Sequence, residues 1–169
     1  MLRDPSHRTG YLAWQLSQAM APRLEKALRP LDLTLAQQNA LLHVSLAPGV
    51  SSAEVARRSG VTAQSMGAAV NALIDRGLLE RSHHPGNRRV LWLRVTDEGL
   101  RLAERAQAAM EEVEARAVRI FSAEEQATAQ ALLHRLVDHL NPDALRFDAP
   151  AGEGEAGEAA VAASGEPTG

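Results

Sequence analysis

The feature that most constrains the fold is the order of local signals in residues 51–94. A serine or threonine that can cap a helix precedes each of two short helical patterns, and a glycine follows each one. Two strand-like runs come next, and the residues that join them are turn formers with a basic end. This order predicts two helices joined by a turn, at about 52–59 and 63–76. A hairpin follows, with strands at about 78–81 and 90–95.

Charge is concentrated in the same segment. Residues 51–94 contain seven arginines and three acidic residues, a net charge of +4, whereas the whole chain carries −3. Positive charge gathered on one unit of an acidic protein indicates a polyanionic partner. A helix-turn-helix followed by a basic hairpin is the winged-helix arrangement that holds duplex DNA. The segment therefore predicts a winged helix-turn-helix that binds double-stranded DNA.

Long amphipathic patterns flank this segment on both sides. One lies at about 8–29, and two more lie between about 97 and 140. Their apolar stripes exceed what one small domain can cover, which predicts a homodimer. The expected division is a flexible N-terminus (1–7), dimerisation helices (8–32 and 97–140), a winged helix-turn-helix DNA-binding domain (33–96) and an acidic Ala/Gly-rich tail predicted to be disordered (141–169).

Composition narrows the remaining classes of function. The 169-residue chain has no cysteine, which excludes disulfides, thiolate metal sites and thiol redox sensing within it. No apolar run reaches membrane-spanning length, and we expect a cytoplasmic protein. The sequence has no Gly-rich phosphate loop, nucleophile elbow or metal-binding helix motif. We therefore expect no enzymatic activity, no cofactor and no metal site.

Three motifs follow one another on the predicted elements: Leu33-Thr34-x-x-Gln37, Leu73-x-x-x-Gly77-Leu78-Leu79-x-Arg81, and Asn87-Arg88-Arg89 with Leu93-Arg94-Val95-Thr96-Asp97-Glu98-Gly99. In this order they resemble the MarR family of bacterial winged-helix regulators over roughly residues 8–140. The resemblance implies a mainly α fold with a small β-hairpin wing. It also implies a homodimeric transcriptional regulator, most often a repressor, that binds an inverted-repeat operator and releases it when a small-molecule ligand binds. At Asn87 the chain lacks the family's aspartate, which would orient Arg89 by a charged pair.

The candidate DNA contacts lie on the second short helix, at the end of the first and in the wing. Gln and Asn side chains can pair with adenine, hydroxyl groups at a helix N-terminus suit phosphates, and arginines suit a narrow minor groove. Plain solvation is the alternative for each polar side chain on a helix. The predicted DNA-binding residues are Thr62, Gln64, Ser65, Asn71, Arg57, Arg58, Arg88 and Arg89.

The family resemblance also implies a small aromatic or anionic effector, held between the dimerisation helices and the winged domain. Its candidate contacts are Tyr11, Trp14, His43 and Met66. The alternative places Trp14 and Met66 in the core and makes His43 a satisfied, buried histidine. A rival function for the whole chain is a winged-helix protein–protein interaction module without specific DNA binding.

Overall fold

The computed structural model describes residues 4–84 and 87–147, with the backbone alone described for 83, 84 and 87–91. Its helices are α1 (Thr9–Leu28), α2 (Leu35–Leu46), α3 (Ser52–Arg58), α4 (Ala63–Asp75), α5 (Asp97–Val118) and α6 (Ala123–Leu140). The strands β1 (Leu79–His84) and β2 (Asn87–Val95) form an antiparallel hairpin, and two 3-10 turns lie at Arg29–Leu31 and Pro142–Leu145. The predicted mainly α fold with a small hairpin is confirmed. No helix among the described residues is long and apolar enough to cross a membrane.

Helix starts follow the predicted capping residues, with one difference. Thr34 and Gln37, both in the first of the three motifs, form a reciprocal capping box at the start of α2. At α3, Ser51 accepts a hydrogen bond from the Glu54 backbone N–H, but the Glu54 side chain does not return to Ser51. Its carboxylate instead binds the two arginines at the end of the same helix. A charged hydrogen bond is stronger than one to a neutral backbone N–H, which explains the half-formed box.

The core of the winged domain lies between α2, α3, α4 and the hairpin. Its fully buried side chains come from all of these elements: Leu41, Val44, Val50, Val55, Met66, Val70, Leu73 and Leu79. The backbone at Gly49 and Val50 pairs with β2, because Gly49 N–H donates to Leu93 O at 3.1 Å and Leu93 N–H donates to Val50 O at 3.2 Å. Gly49 has φ +92°, and a Cβ there would lie 2.9 Å from the Trp92 ring. Glycine thus lets Trp92 cover the backbone at this position.

A close contact joins the winged domain to α5. Thr96 caps α5 by accepting from the Gly99 N–H at 3.1 Å, and its hydroxyl donates to Gly77 O at 2.8 Å. One turn later, Gly99 packs directly against the Leu78 carbonyl. These contacts fix the start of α5 to the end of α4 and the start of β1. They give the Thr96-to-Gly99 motif its structural reason.

The long helices leave much apolar surface uncovered in a single chain. None of the residues of α6 is buried. Large apolar side chains are exposed on α1, at the turn after α5 and on α6: Leu12, Trp14, Leu16, Ile120, Phe121, Leu132, Leu133, Val137 and Leu140. An open groove of about 790 Å³ runs between α1 and α5, with Leu16, Met20 and Val113 in its lining.

Residues 141–147, here called the C-terminal arm, differ from the prediction. The sequence division assigned them to a disordered tail, whereas the structure shows Pro142–Leu145 as a 3-10 turn and the arm against the winged domain. Phe147 stacks on His43 with ring centroids 5.1 Å apart, and Arg58 donates to the Arg146 carbonyl at 2.8 Å. One aromatic side chain and one main-chain acceptor are enough to hold a segment of otherwise low hydrophobicity. Residues 148–169 lie outside the described part of the chain.

Candidate nucleic-acid interface

One face of α4 packs in the core, and the opposite face is therefore exposed. Met66, Val70 and Leu73 are buried, which fixes the rotation of the helix about its axis. On the opposite side the exposed residues include four of the predicted contacts: Thr62, Gln64, Ser65 and Asn71. Thr62 caps the helix, since its Oγ1 accepts from the Ser65 N–H at 3.1 Å. The predicted exposed face is therefore present, with a helix N-terminus and its partial positive charge at one end.

The two arginines that end α3 have different surroundings. Arg57 is 55% exposed and forms ion pairs with Glu54 and Asp143. The hydrogen bond from Arg57 holds the pKa of Glu54 below its usual value, against the opposing effect of burial. Arg57 can still face a phosphate, although two carboxylates already offset its charge.

Arg58 does not fit its predicted contact with the DNA backbone. Its side chain is only 5% exposed, and the guanidinium donates to Glu54 Oε1 at 2.8 Å and to the Arg146 carbonyl at 2.8 Å. The C-terminal arm closes over it. The structure thus encloses the Arg58 guanidinium under an arm that the sequence did not reveal, and contact of Arg58 with the DNA backbone stays a prediction that this placement does not support.

The predicted wing residues lie at the start of β2. This strand begins at Asn87, opposite His84, and the hairpin has an irregular register between His83 and His84. The side chains of Asn87, Arg88 and Arg89 lie outside the described residues. Minor-groove contact by the two arginines stays a prediction.

The structure also places Arg81 beside α4. The sequence did not lead us to predict Arg81 as a DNA contact. Arg81 lies on β1 opposite Leu93, and its Nη2 donates to Asn71 Oδ1 on α4 at 2.5 Å. Both side chains are exposed. The motif ending in Arg81 was visible in the sequence, but the contact between strand and helix depends on how the hairpin packs beside α4.

The four candidate effector contacts have different surroundings. Tyr11 and Trp14 are neighbours on α1, exposed, with ring centroids 6.0 Å apart. His43 is buried under Phe147, and Met66 is in the core of the winged domain. The core alternative thus holds for Met66 and fails for Trp14, which is 55% exposed.

His43 is buried but not fully satisfied. Its Nδ1 has no hydrogen-bond partner among the described residues. Burial lowers the pKa of His43, and the positive charge of Arg58 lowers it further, while Glu54 opposes both effects. The imidazole is thereby favoured in its neutral form.

A second, smaller cavity lies between α2 and α5. It measures about 220 Å³ and is lined by Gln38, Asn39, Leu42, Gln107, Met110, Glu111 and Glu114. The Gln38 side chain is buried, and its Oε1 has no partner among the described residues. Within that same part of the chain, no group of three or more His, Asp or Glu side chains is placed to hold a metal ion.

Comparison of the sequence with known proteins identifies the family of this chain. A family model described as MarR family matches residues 31–90. The HTH-type transcriptional repressor Rv2887 of Mycobacterium tuberculosis is 35% identical over 127 residues, which is 75% of this chain and 91% of that protein. The chain belongs to the MarR family. The matched range contains α2, α3, α4 and β1 and ends within β2, so that the Leu93-to-Gly99 motif lies beyond it.

Solved structures of the same relative agree with the MarR fold. The crystal structure of the M. tuberculosis MarR family protein Rv2887 in complex with DNA has a TM-score of 0.65 and 32% identity, covering 78% of this chain and 98% of that chain. The structure of that protein in complex with salicylic acid has a TM-score of 0.68 and 34% identity, covering 78% and 97%. The MarR relative has thus been crystallised both with DNA and with a small aromatic acid.

Proposed function

We propose that this protein is a transcriptional repressor that binds operator DNA through α4 and the hairpin. The observation that carries the proposal is the exposed polar face of α4, which begins at a capped N-terminus and displays Gln64 and Ser65. Such a helix end can enter the major groove, where amide and hydroxyl side chains meet base edges and phosphates. The similar repressor crystallised with DNA supports this use of the fold. Arg57, Arg88 and Arg89 are proposed as additional backbone and groove contacts.

The proposed active form is a homodimer. Support comes from α6, which buries none of its residues in a single chain, and from the groove between α1 and α5. A second copy of the chain would cover both surfaces. A two-fold dimer places its two copies of α4, the proposed recognition helix, about one DNA turn apart. The proposed operator is therefore an inverted repeat.

The proposed regulator is released by a small aromatic or anionic ligand. This rests on the relative bound to salicylic acid and on the exposed aromatic pair of Tyr11 and Trp14 on a proposed dimerisation helix. The protein would act as a DNA-binding regulator rather than as an enzyme, and in the cytoplasm, where the operator is located.

The test is a fluorescence-anisotropy titration with duplex fragments selected from the source genome. Specific binding should exceed binding to random duplex by about 10³-fold or more, and both affinities should fall steeply with salt. Gln64→Ala should lower the preference for the selected fragment. Gln18→Ala, an exposed glutamine on α1, serves as the matched control and should leave that preference unchanged. Equal affinity of the wild type for selected and random duplexes would reject a sequence-specific repressor.

A further inference from the structure

The contact between Arg81 and Asn71 changes the role that Asn71 can have. To pair with adenine, an asparagine must accept from the base N6 amino group through Oδ1 and donate to N7 through Nδ2. Here Oδ1 already accepts from the Arg81 guanidinium at 2.5 Å. The amide oxygen has a second lone pair, but this charge-assisted bond fixes the orientation of the Asn71 amide towards Arg81. Asn71 is therefore poorly set up for the adenine contact that the sequence predicted.

Arg81 has no ion-pair partner among the described side chains and uses one of its hydrogen-bond donors. Arg57, Arg58 and Arg76 each lie within ion-pair distance of a carboxylate, whereas no such carboxylate faces Arg81 among residues 4–82 and 92–147, whose side chains are described. A guanidinium has five N–H donors, and the bond to Asn71 takes one of them. Among the described side chains, four donors and the positive charge of Arg81 are left without a partner, at an exposed position.

The position of Arg81 places those donors beside the exposed face of α4. Ser65, Ala68 and Asn71 lie three residues apart on the exposed face of α4, and Asn71 is the member farthest from the helix N-terminus. Arg81 reaches this end of the face from β1. The bond to Asn71 ties a long, flexible cation to the rigid recognition helix, which reduces the conformational entropy that binding would cost.

We propose that Arg81 binds a phosphate of the DNA backbone and that Asn71 is its positioning residue rather than a base-reading residue. This inference rests on the proposed function, since it assigns a contact within the same interface. Phosphate suits the site because the pair offers donors and positive charge, and the Asn71 amide oxygen is turned towards the Arg81 guanidinium. The contact contributes affinity and register on the duplex, without selecting a base.

A double-mutant cycle tests the dependence of Asn71 on Arg81. Affinities for the selected operator are measured for the wild type, Arg81→Gln, Asn71→Ala and the double variant. If Asn71 acts through Arg81, then Asn71→Ala weakens binding in the wild type and has no further effect beside Arg81→Gln. An equal loss from Asn71→Ala in both backgrounds would overturn the inference. Thermal unfolding of each variant shows whether the fold is kept.

Salt dependence and base substitution test the phosphate contact. Arg81→Gln should reduce the slope of log affinity against log salt by about one per protomer, because one phosphate contact is lost. Both single variants should weaken binding to every single-base-substituted operator by the same factor. Arg105→Gln on α5 removes the same charge from an exposed position away from α4 and should leave the slope unchanged. A slope that Arg81→Gln does not alter, or base preference lost at one operator position, would overturn the proposal.

The same data separate this inference from the proposed function. A wild type that prefers its operator while Arg81→Gln keeps the full slope rejects the Arg81 contact alone. A wild type that binds no duplex at any salt concentration rejects the function and this contact with it.

Discussion

Gly99 lies so close to Leu78 that a Cβ on residue 99 would be 2.0 Å from the Leu78 carbonyl oxygen. The same carbonyl accepts the Thr96 backbone N–H at 3.1 Å. The first turn of α5 is therefore pressed against the strand that leaves the recognition helix. This junction is a covalent and packed link between α5 and the winged domain.

Replacing Gly99 with alanine should destabilise the fold. The added methyl group overlaps backbone atoms that cannot turn away, and overpacking of this kind costs about 1–3 kcal/mol. Chemical denaturation of Gly99→Ala measures the loss. Gly67→Ala is the control, because nothing lies within 4 Å of a Cβ at position 67 in α4. That variant should be neutral or slightly stabilising by helix propensity. Equal stability of the two variants would contradict the close approach at Gly99.

Removing the Phe147 side chain should release the C-terminal arm from the winged domain. Phe147→Ala loses the stacking on His43, and because the ring is partly exposed the expected cost is about 1–2 kcal/mol rather than the value for a core phenylalanine. Amide hydrogen exchange should increase in α3, over which the arm lies. Phe121→Ala, at the turn before α6, removes a ring of similar exposure and should leave exchange in α3 unchanged.

Acid should destabilise the protein partly through His43. Its pKa in the fold is lowered from 6.5 by burial and by Arg58, and the unfolded chain therefore takes up the proton first as the pH falls. The stability that the neutral imidazole contributes is present above about pH 6.5 and is lost progressively below it, until the pH reaches the lowered pKa of the folded state. Denaturation at pH 7.5 and pH 5.5 should show a smaller loss in His43→Gln than in the wild type. An equal loss in both proteins would contradict the assignment to His43.

A charge on α6 should prevent the proposed dimer. Leu133→Glu places a carboxylate in the exposed apolar face of α6, where a second copy is proposed to pack. Sedimentation at micromolar concentration should show a monomer. Leu46→Glu, at the end of α2, alters a leucine of similar exposure, 52% against 49% for Leu133, outside the proposed dimer surface. It should remain dimeric. Dimers of Leu133→Glu would place the dimer interface elsewhere.

Local signals account for most of the elements. Ser51 and Thr62 cap the two short helices that the sequence predicted after them, because a cap depends on residues only three positions apart. Four of the predicted contacts, Thr62, Gln64, Ser65 and Asn71, lie at exposed positions at the start and along one face of α4. The hairpin was found, but β2 begins at Asn87 rather than at the predicted Val90.

The features that the sequence did not reveal are contacts between distant parts of the chain. Glu54 and Arg58 are four residues apart, and their pair could have been read from helical spacing. The burial of Arg58 could not be predicted from the sequence. It depends on Arg146 and Phe147, which follow α6 in the chain and pack against α3 and α2. Distances between the effector candidates could not be predicted for the same reason, since these residues lie on separate helices.

The sequence by itself determined the helices, the hairpin, the family and the basic character of the winged segment. These properties arise from short-range spacing, capping and charge, which each segment carries within a few residues. Only the tertiary structure decided which cations are available: Arg58 is enclosed by the arm, Arg57 is offset by two carboxylates, and Arg81 is held on the recognition face by Asn71. The physical reason is that the availability of a charge depends on its neighbours in space, and those neighbours are set by how the helices and the hairpin pack.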